Sequence, residues 1–318
     1  MKKIIYLFIT PLLCIGQFYN GPESIEYNSV DNSYFISNSG NGQILKLNED
    51  ESLSVFVNNV GNGPHGLEIV EDVLYACSGG RIKGYDLSSG EQVLNYNVGG
   101  AFLNGITHFI DGGGSWLFIT DFSAKKLYRY HIDTQEHLEI MSFTKNPNGI
   151  YHDFYDDRLI IVFWGNNAGV YEIDVTDKTS TVLIENTQLN NLDGITMDEC
   201  GNFLISAWST NSIHRFSNDF SESEVIVNGL SNPADIHYNW INNTLAIPNS
   251  GSNSVSFIDY DAGPPTGWGN CNNSSIKPIT KHKNLINRVD IFGRSTKKKS
   301  LHIEIYDDGS VIKKYFLK

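Results

Sequence analysis

Six short segments of the chain open in the same way, and the second residue of all but the last is of a type that can do chemistry. They are Pro22-Glu23-Ser24-Ile25, Pro64-His65-Gly66-Leu67, Leu103-Asn104-Gly105-Ile106, Pro147-Asn148-Gly149-Ile150, Leu192-Asp193-Gly194-Ile195 and Pro233-Ala234-Asp235-Ile236. If these segments surround one axis, Glu23, His65, Asn104, Asn148, Asp193 and Ala234 form a single ring. Two carboxylates and two amide oxygens are hard donors, suited to Ca²⁺, Mg²⁺ or Mn²⁺ more than to a thiolate-seeking metal. A cation held there makes a bound water more acidic and polarises a lactone carbonyl. Asp193 is then ligand or general base, and His65 is a second proton-transfer group. The alternative is a hydrated channel, because polar residues also line openings that merely border water.

The elements that must position these residues are legible in the spacing. Successive segments begin 42, 39, 44, 45 and 41 residues apart, a period matching a propeller blade of four short strands. Each opening leads into a short strand and a turn such as Val30-Asp31-Asn32 or Asn242-Asn243. An apolar run follows, for example Tyr34-Phe35-Ile36 or Leu159 to Phe163, and then an alternating strand such as Lys126-Leu127-Tyr128-Arg129-Tyr130. Period-two alternation between turn residues predicts strands, and no copy carries a helical stripe. The expected fold is all-β: a six-bladed β-propeller over 17–262 with a short C-terminal β-hairpin tail. The sixth copy lacks an evident outer strand, which either Gln17 to Asn20 or part of 272–280 is expected to supply.

The polar openings and the strand pattern after them, over about residues 20–262, resemble the regucalcin/gluconolactonase and NHL-repeat superfamily of six-bladed propellers. The resemblance implies that Glu23, Asn148 and Asp193 hold one divalent cation above the channel and that Asn104 contacts substrate. It implies a metal-dependent lactone or ester hydrolase with its site at the channel mouth. Those enzymes place an Arg two residues before the substrate-binding Asn, where this chain has Phe102. The alternative class is a non-enzymatic secreted scaffold that binds a protein or glycan. His65 within Gly63-Pro64-His65-Gly66 also resembles the virginiamycin-lyase propellers. His108, His152, His214 and His237 are expected on blade strands with ordinary partners. Trp164 and Trp208 fall at strand ends, where core packing is the expected role and a wall for a sugar ring the alternative.

Composition narrows the partners. The chain has 318 residues and a net charge of −13, from 23 Lys+Arg against 36 Asp+Glu. Residues 274–318 hold 11 basic and 4 acidic groups, and 1–16 hold only Lys2 and Lys3, so 17–273 carries 10 against 32, a net of −22. A body so acidic repels a phosphate backbone, which excludes nucleic acid as the expected partner. Lys2-Lys3, the apolar run Ile4 to Ile15 and Gly16 read as a signal peptide over 1–16, too short to span a bilayer. No transmembrane segment is expected elsewhere. Cys77, Cys200 and Cys271 remain after cleavage; an odd number is not a disulfide framework, although Cys200 and Cys271 can pair. Residues 263–283 have linker composition. The 284–318 tail, with Val289 to Arg294 and Ile305-Tyr306-Asp307-Asp308-Gly309, resembles the C-terminal sorting signal of type IX secretion cargo. Together the two ends imply export to the surface or medium through that machinery.

Overall fold

A computed structural model describes residues 18–111 and 114–260, together with the backbone of Leu285–Val289, His302–Tyr306 and Val311–Lys314. The expected signal peptide and linker lie outside the described residues. Contacts divide the chain into two compact units, Met1–Cys271 and Asn272–Lys318.

The first unit is a six-bladed β-propeller. Six antiparallel sheets follow one another in sequence, each a meander whose strand order repeats the chain order. Their innermost strands are Pro22–Asn28, Leu67–Val70, Leu103–Asp111, Asn146–Asp153, Leu192–Met197 and His237–Asn239, which define blades I to VI. Each innermost strand contacts the next, and that of blade VI contacts that of blade I, so the ring is closed. Among the described residues the propeller unit contains no α-helix, only a single 3-10 turn at Ser250–Ser252. The second unit contributes a three-stranded antiparallel sheet of Leu285–Val289, His302–Tyr306 and Val311–Lys314. Its last two strands are the hairpin expected around the Asp-Gly turn; Leu285–Val289 is an additional strand.

Apolar alternation explains the core. Six clusters of buried side chains lie at the six boundaries between neighbouring blades. Phe35, Ile44, Leu67 and Tyr85 join blades I and II, and Leu204, Ile213, Ile236 and Leu245 join V and VI. Each fully buried side chain of this size contributes roughly 1.5–3 kcal/mol, so every boundary is held by several such terms. The seam between VI and I is built the same way, from Ile25, Ile36, Leu45 and Ala246.

The seam between blades VI and I is described at its inner strands. Blade VI has three strands, residues 18–20 are not a strand, and 272–280 lie outside the described residues. The inner strands join blades VI and I. Ser24 and Asp235 form a parallel bridge, Asp235 N donates to Glu23 O at 2.8 Å, and Ser24 Oγ donates to Asp235 Oδ2 at 2.8 Å. Gly21 N reaches Asn253 Oδ1 at 2.7 Å, and Asn239 Nδ2 reaches the Tyr34 hydroxyl at 3.0 Å.

Elsewhere the inner strands approach so closely that the third residue of each opening must be glycine. A Cβ on Gly66, Gly105 or Gly149 would lie 2.2, 2.4 or 2.1 Å from the carbonyl oxygen of Asn104, Asn148 or Asp193 in the next blade. The obstacle is backbone, which cannot rotate away. Gly149→Ala should therefore cost about 2–3 kcal/mol and lower the melting temperature by about 5–10 °C for a unit of this size. Thermal denaturation followed by circular dichroism measures this, and an unchanged melting temperature rejects the close-approach account.

Candidate functional site

The predicted ring residues sit where the innermost strands begin, and most sit in β-bulges. Strand register shifts between Pro22 and Ile25, between Pro147 and Ile150, and between Leu192 and Ile195. In blade III it shifts opposite Asn104, between Ile119 and Asp121. A bulge turns a side chain that would lie along the sheet into a new direction and frees backbone groups from the ladder. Hydroxyls on the second strands take up those groups. Thr120 Oγ1 accepts from Gly105 N at 2.9 Å and donates to Asn148 O at 2.6 Å. Ser206 Oγ accepts from Gly194 N and donates to Ala234 O, both at 2.7 Å. Ser37 Oγ accepts from Ser24 N at 2.8 Å.

The structure brings Asn104, Asn148, Asp193 and Glu23 together. Asn104 Nδ2 donates to Asn148 Oδ1 at 2.6 Å, and Asn148 Nδ2 donates to Leu192 O at 3.1 Å. The Asn148 side chain also bonds the Asp193 carboxylate. Asp193 is 3% exposed and Asn148 1%. Burial pushes the Asp193 carboxyl well above the usual carboxylate range, and the charges of Glu23 and Asp235 push it further. Burial lifts Glu23 to about 7.

Two residues change the predicted ring. Ala234 carries no chemistry, but its neighbour Asp235 does: burial, reinforced by Glu26, Glu23 and Glu68 and opposed by the Ser24 bond, lifts its carboxyl to about 8. Asp235 occupies the position that is glycine in blades II to V. That break in the repeat is the signal that could have found it. His65 lies at the start of blade II, its backbone N bonded to Cys77 O at 3.0 Å. Burial pushes its imidazole down to about 4, so it is neutral at pH 7, and its Nδ1 is buried without a hydrogen-bond partner.

Aromatic rings extend the site away from His65. Phe102 meets the His65 ring edge-on at 4.5 Å and Phe122 at 5.6 Å; Phe122 meets Trp164 at 5.8 Å, and Trp164 meets Trp208 at 5.5 Å. All four carbon-rich rings are partly exposed. Trp164 and Trp208 thus belong to an arc across blades III to V rather than to the core. Phe102 is held there by Asp121, fully buried, whose carboxylate accepts from Ala101 N at 2.7 Å and Phe102 N at 3.1 Å.

As a metal centre, the donor set is two carboxylates and an amide. Among the described residues no group of three or more His, Cys, Asp or Glu side chains is arranged to hold a metal. Glu23, Asn148 and Asp193 fit a hard divalent cation in donor type: two carboxyls adjoin, and no cationic side chain is among the groups that shift them. Cys77 is buried and its thiol is pushed above its ordinary range, so it is inert. Cys200 is disulfide-bonded, with its partner outside the described residues.

No protein-family model matches the chain, and no curated protein matches it. Solved structures share its fold. A protein assigned to gluconolactonase superposes with a TM-score of 0.61 at 15% identity, covering 74% of this chain and 87% of its own. A catalytically inactive virginiamycin B lyase from Staphylococcus aureus, solved with quinupristin, gives 0.57 at 15% identity over 93% of this chain and 95% of its own. An auxiliary nutrient binding protein from Bacteroides thetaiotaomicron gives 0.60 at 11% identity over 75% and 70%. At these identities the likeness shows the propeller fold.

The raised carboxyls have a consequence for stability. Glu23, Asp193 and Asp235 bind protons in the folded state at pH values where the unfolded chain has released them, so stability falls as pH rises toward about 8. His65, depressed to about 4, acts in the opposite sense only below its unfolded value of about 6.5. In chelator-treated buffer the melting temperature should therefore drop between pH 6.5 and 8.5, and Asp193→Asn should flatten the drop. A melting temperature that is level or rising over that interval contradicts the buried-carboxylate picture.

Proposed function

We propose that the propeller is a ligand-binding protein whose Glu23–Asp193 mouth takes a small lactone, ester or glycan ring together with one divalent cation. What carries the reading is the pair of adjoining carboxylates, with Asp193 raised by its own burial and by the charge of Glu23. Glu23, Asn148 and Asp193 would hold the ion, which would polarise a ligand carbonyl and acidify a bound water. The resemblance of the openings to gluconolactonase-type enzymes supports the same assignment, and the shared fold is consistent with it.

The chain's own residues supply the rest. Asn104, hydrogen-bonded to Asn148, contacts a ligand oxygen. In the hydrolytic reading His65, neutral at pH 7, takes the proton of the attacking water. The water oxygen bonds to the carbonyl carbon, the ester C–O bond breaks, and an acid and an alcohol result. Asp193 serves as ligand or as the alternative base. Phe102, standing where the enzymes carry an Arg, removes a guanidinium and adds an apolar face, which favours a ring over a charged sugar acid. The aromatic arc from Phe102 to Trp208 also favours a second reading, glycan capture without turnover, because sugar rings stack on such faces.

Calorimetric titration with Ca²⁺ and Mn²⁺ tests the ion. Binding should weaken by about tenfold or more in Glu23→Gln and in Asp193→Asn. No binding, or binding unchanged in both variants, rejects the metal site. With the ion bound, aldonolactones and aryl esters should turn over, and His65→Ala should lower kcat by about 100-fold. Glycan binding with no turnover selects the second reading.

Export is part of the proposal: the 1–16 signal peptide and the 284–318 tail would direct the chain through the inner membrane and then the type IX machinery. Deleting 284–318 should retain the protein in the periplasm, and secretion unaffected by the deletion rejects the sorting role.

A further inference from the structure

The innermost strands, from the residues that follow the openings to their far ends, enclose a cavity of about 500 Å³. That volume falls in the range of small-molecule sites. Among its lining residues are three carboxylates, Glu26, Glu68 and Asp235, and three histidines, His108, His152 and His237; none is Lys or Arg. His108 Nδ1 bonds Glu68 Oε1 at 2.7 Å, and His237 Nδ1 bonds Glu26 Oε1 at 3.3 Å. One oxygen of each carboxylate is thus committed to an imidazole, leaving the second as an acceptor. The side chains of Glu26 and Glu68 are 17% and 14% exposed. Burial raises Glu68, with the His108 bond opposing, and the charge of Glu26 raises it further, so the two carboxylates sense each other.

Above this acidic floor lies an apolar rim that the core does not use. Phe154 is 55% exposed, Ile110 59% and Ile241 48%. Phe154 packs on Trp240 at 5.7 Å, and Tyr155 stacks on Trp240 at 6.1 Å with their planes 30° apart. Exposed aromatic and aliphatic groups gathered at the entrance of a cavity mark an interaction site rather than a packing remnant.

We propose that this mouth is a second binding site, for a small organic cation: a protonated amine carried on an aromatic or apolar frame. The ammonium group donates to the free oxygens of Glu26 and Glu68, and the frame lies against Trp240 and Phe154. An aromatic face beside the charge adds cation–π attraction. A neutral ring gains the stacking without the hydrogen bonds of the ammonium to the carboxylates.

Calorimetry with phenethylamine, and with 2-phenylethanol as the same frame without charge, tests the proposal on the full chain. Phenethylamine should bind saturably, and the alcohol about tenfold more weakly or worse. Glu26→Gln and Glu68→Gln should each weaken the amine by about tenfold. Phe154→Ala, at an exposed position that leaves the core intact, should weaken both compounds. Glu23→Gln, at the other mouth, should leave amine binding unchanged, which separates this site from the proposed cation site. Absence of saturable amine binding, equal binding of amine and alcohol, or binding that survives Glu26→Gln and Glu68→Gln overturns the proposal.

Discussion

Six strands crowd round one axis until their backbones touch, and the rest of the molecule follows from that approach. Backbone of the next blade lies where the Cβ of each third opening residue would be: a carbonyl for Gly66, Gly105 and Gly149, and the Asp235 Cα and Ile236 N for Gly194. The residue after each glycine, Leu67, Ile106, Ile150 or Ile195, joins a blade-boundary core cluster, and the residue before it carries the polar group of the opening. Blades I and VI depart from the rule, and their departures meet: Ser24 and Asp235 hydrogen-bond to each other across the seam. A ring built in chain order must join its first blade to its last, and here a polar pair does so at the point of closest approach. The apolar cluster of Ile25, Ile36, Leu45 and Ala246 supplies the rest of the joint.

That geometry explains why chemistry gathers at the strand starts. The close approach distorts the first ladder into bulges, and bulges aim Glu23, Asn148 and Asp193 out of the sheet plane. Freed amides and carbonyls are satisfied by Ser37, Thr120 and Ser206, so the distortion does not leave buried groups unpaired. The same hydroxyls fix the openings rigidly. A site on such a base is preorganised by the scaffold, with Phe122, Trp164 and Trp208 of the aromatic arc supplied where second strands run out and Phe102 just before an innermost strand begins.

The period of about 42 residues made the blade count legible, because a repeat of that length has few architectures. The gathering of Glu23, Asn104, Asn148 and Asp193 was legible for the same reason, since equivalent positions must converge. What escaped was set by differences between copies. Asp235 lay hidden beside Ala234 because the pattern directs attention to the second residue of each opening. Glu26 with His237, and Glu68 with His108, pair across blades through side chains 211 and 40 residues apart. No periodic rule specifies which rotamers meet. Phe102, Phe122, Trp164 and Trp208 are separated by whole strands, and only the radial arrangement turns them into one surface. Of the two segments expected to supply an outer strand to blade VI, residues 18–20 are not one and 272–280 lie outside the described residues, while inner-strand bonds and apolar packing join blades VI and I.

Asp235 stands where the seam and the carboxylates of the inner strands meet. Its backbone N donates to Glu23 O, and its Oδ2 accepts from Ser24 Oγ. Burial raises its carboxyl, the Ser24 bond opposes, and the charges of Glu26, Glu23 and Glu68 raise it further. The contacts that close the ring are therefore the contacts that fix this side chain, in the one blade whose opening carries a carboxylate where blades II to V carry glycine.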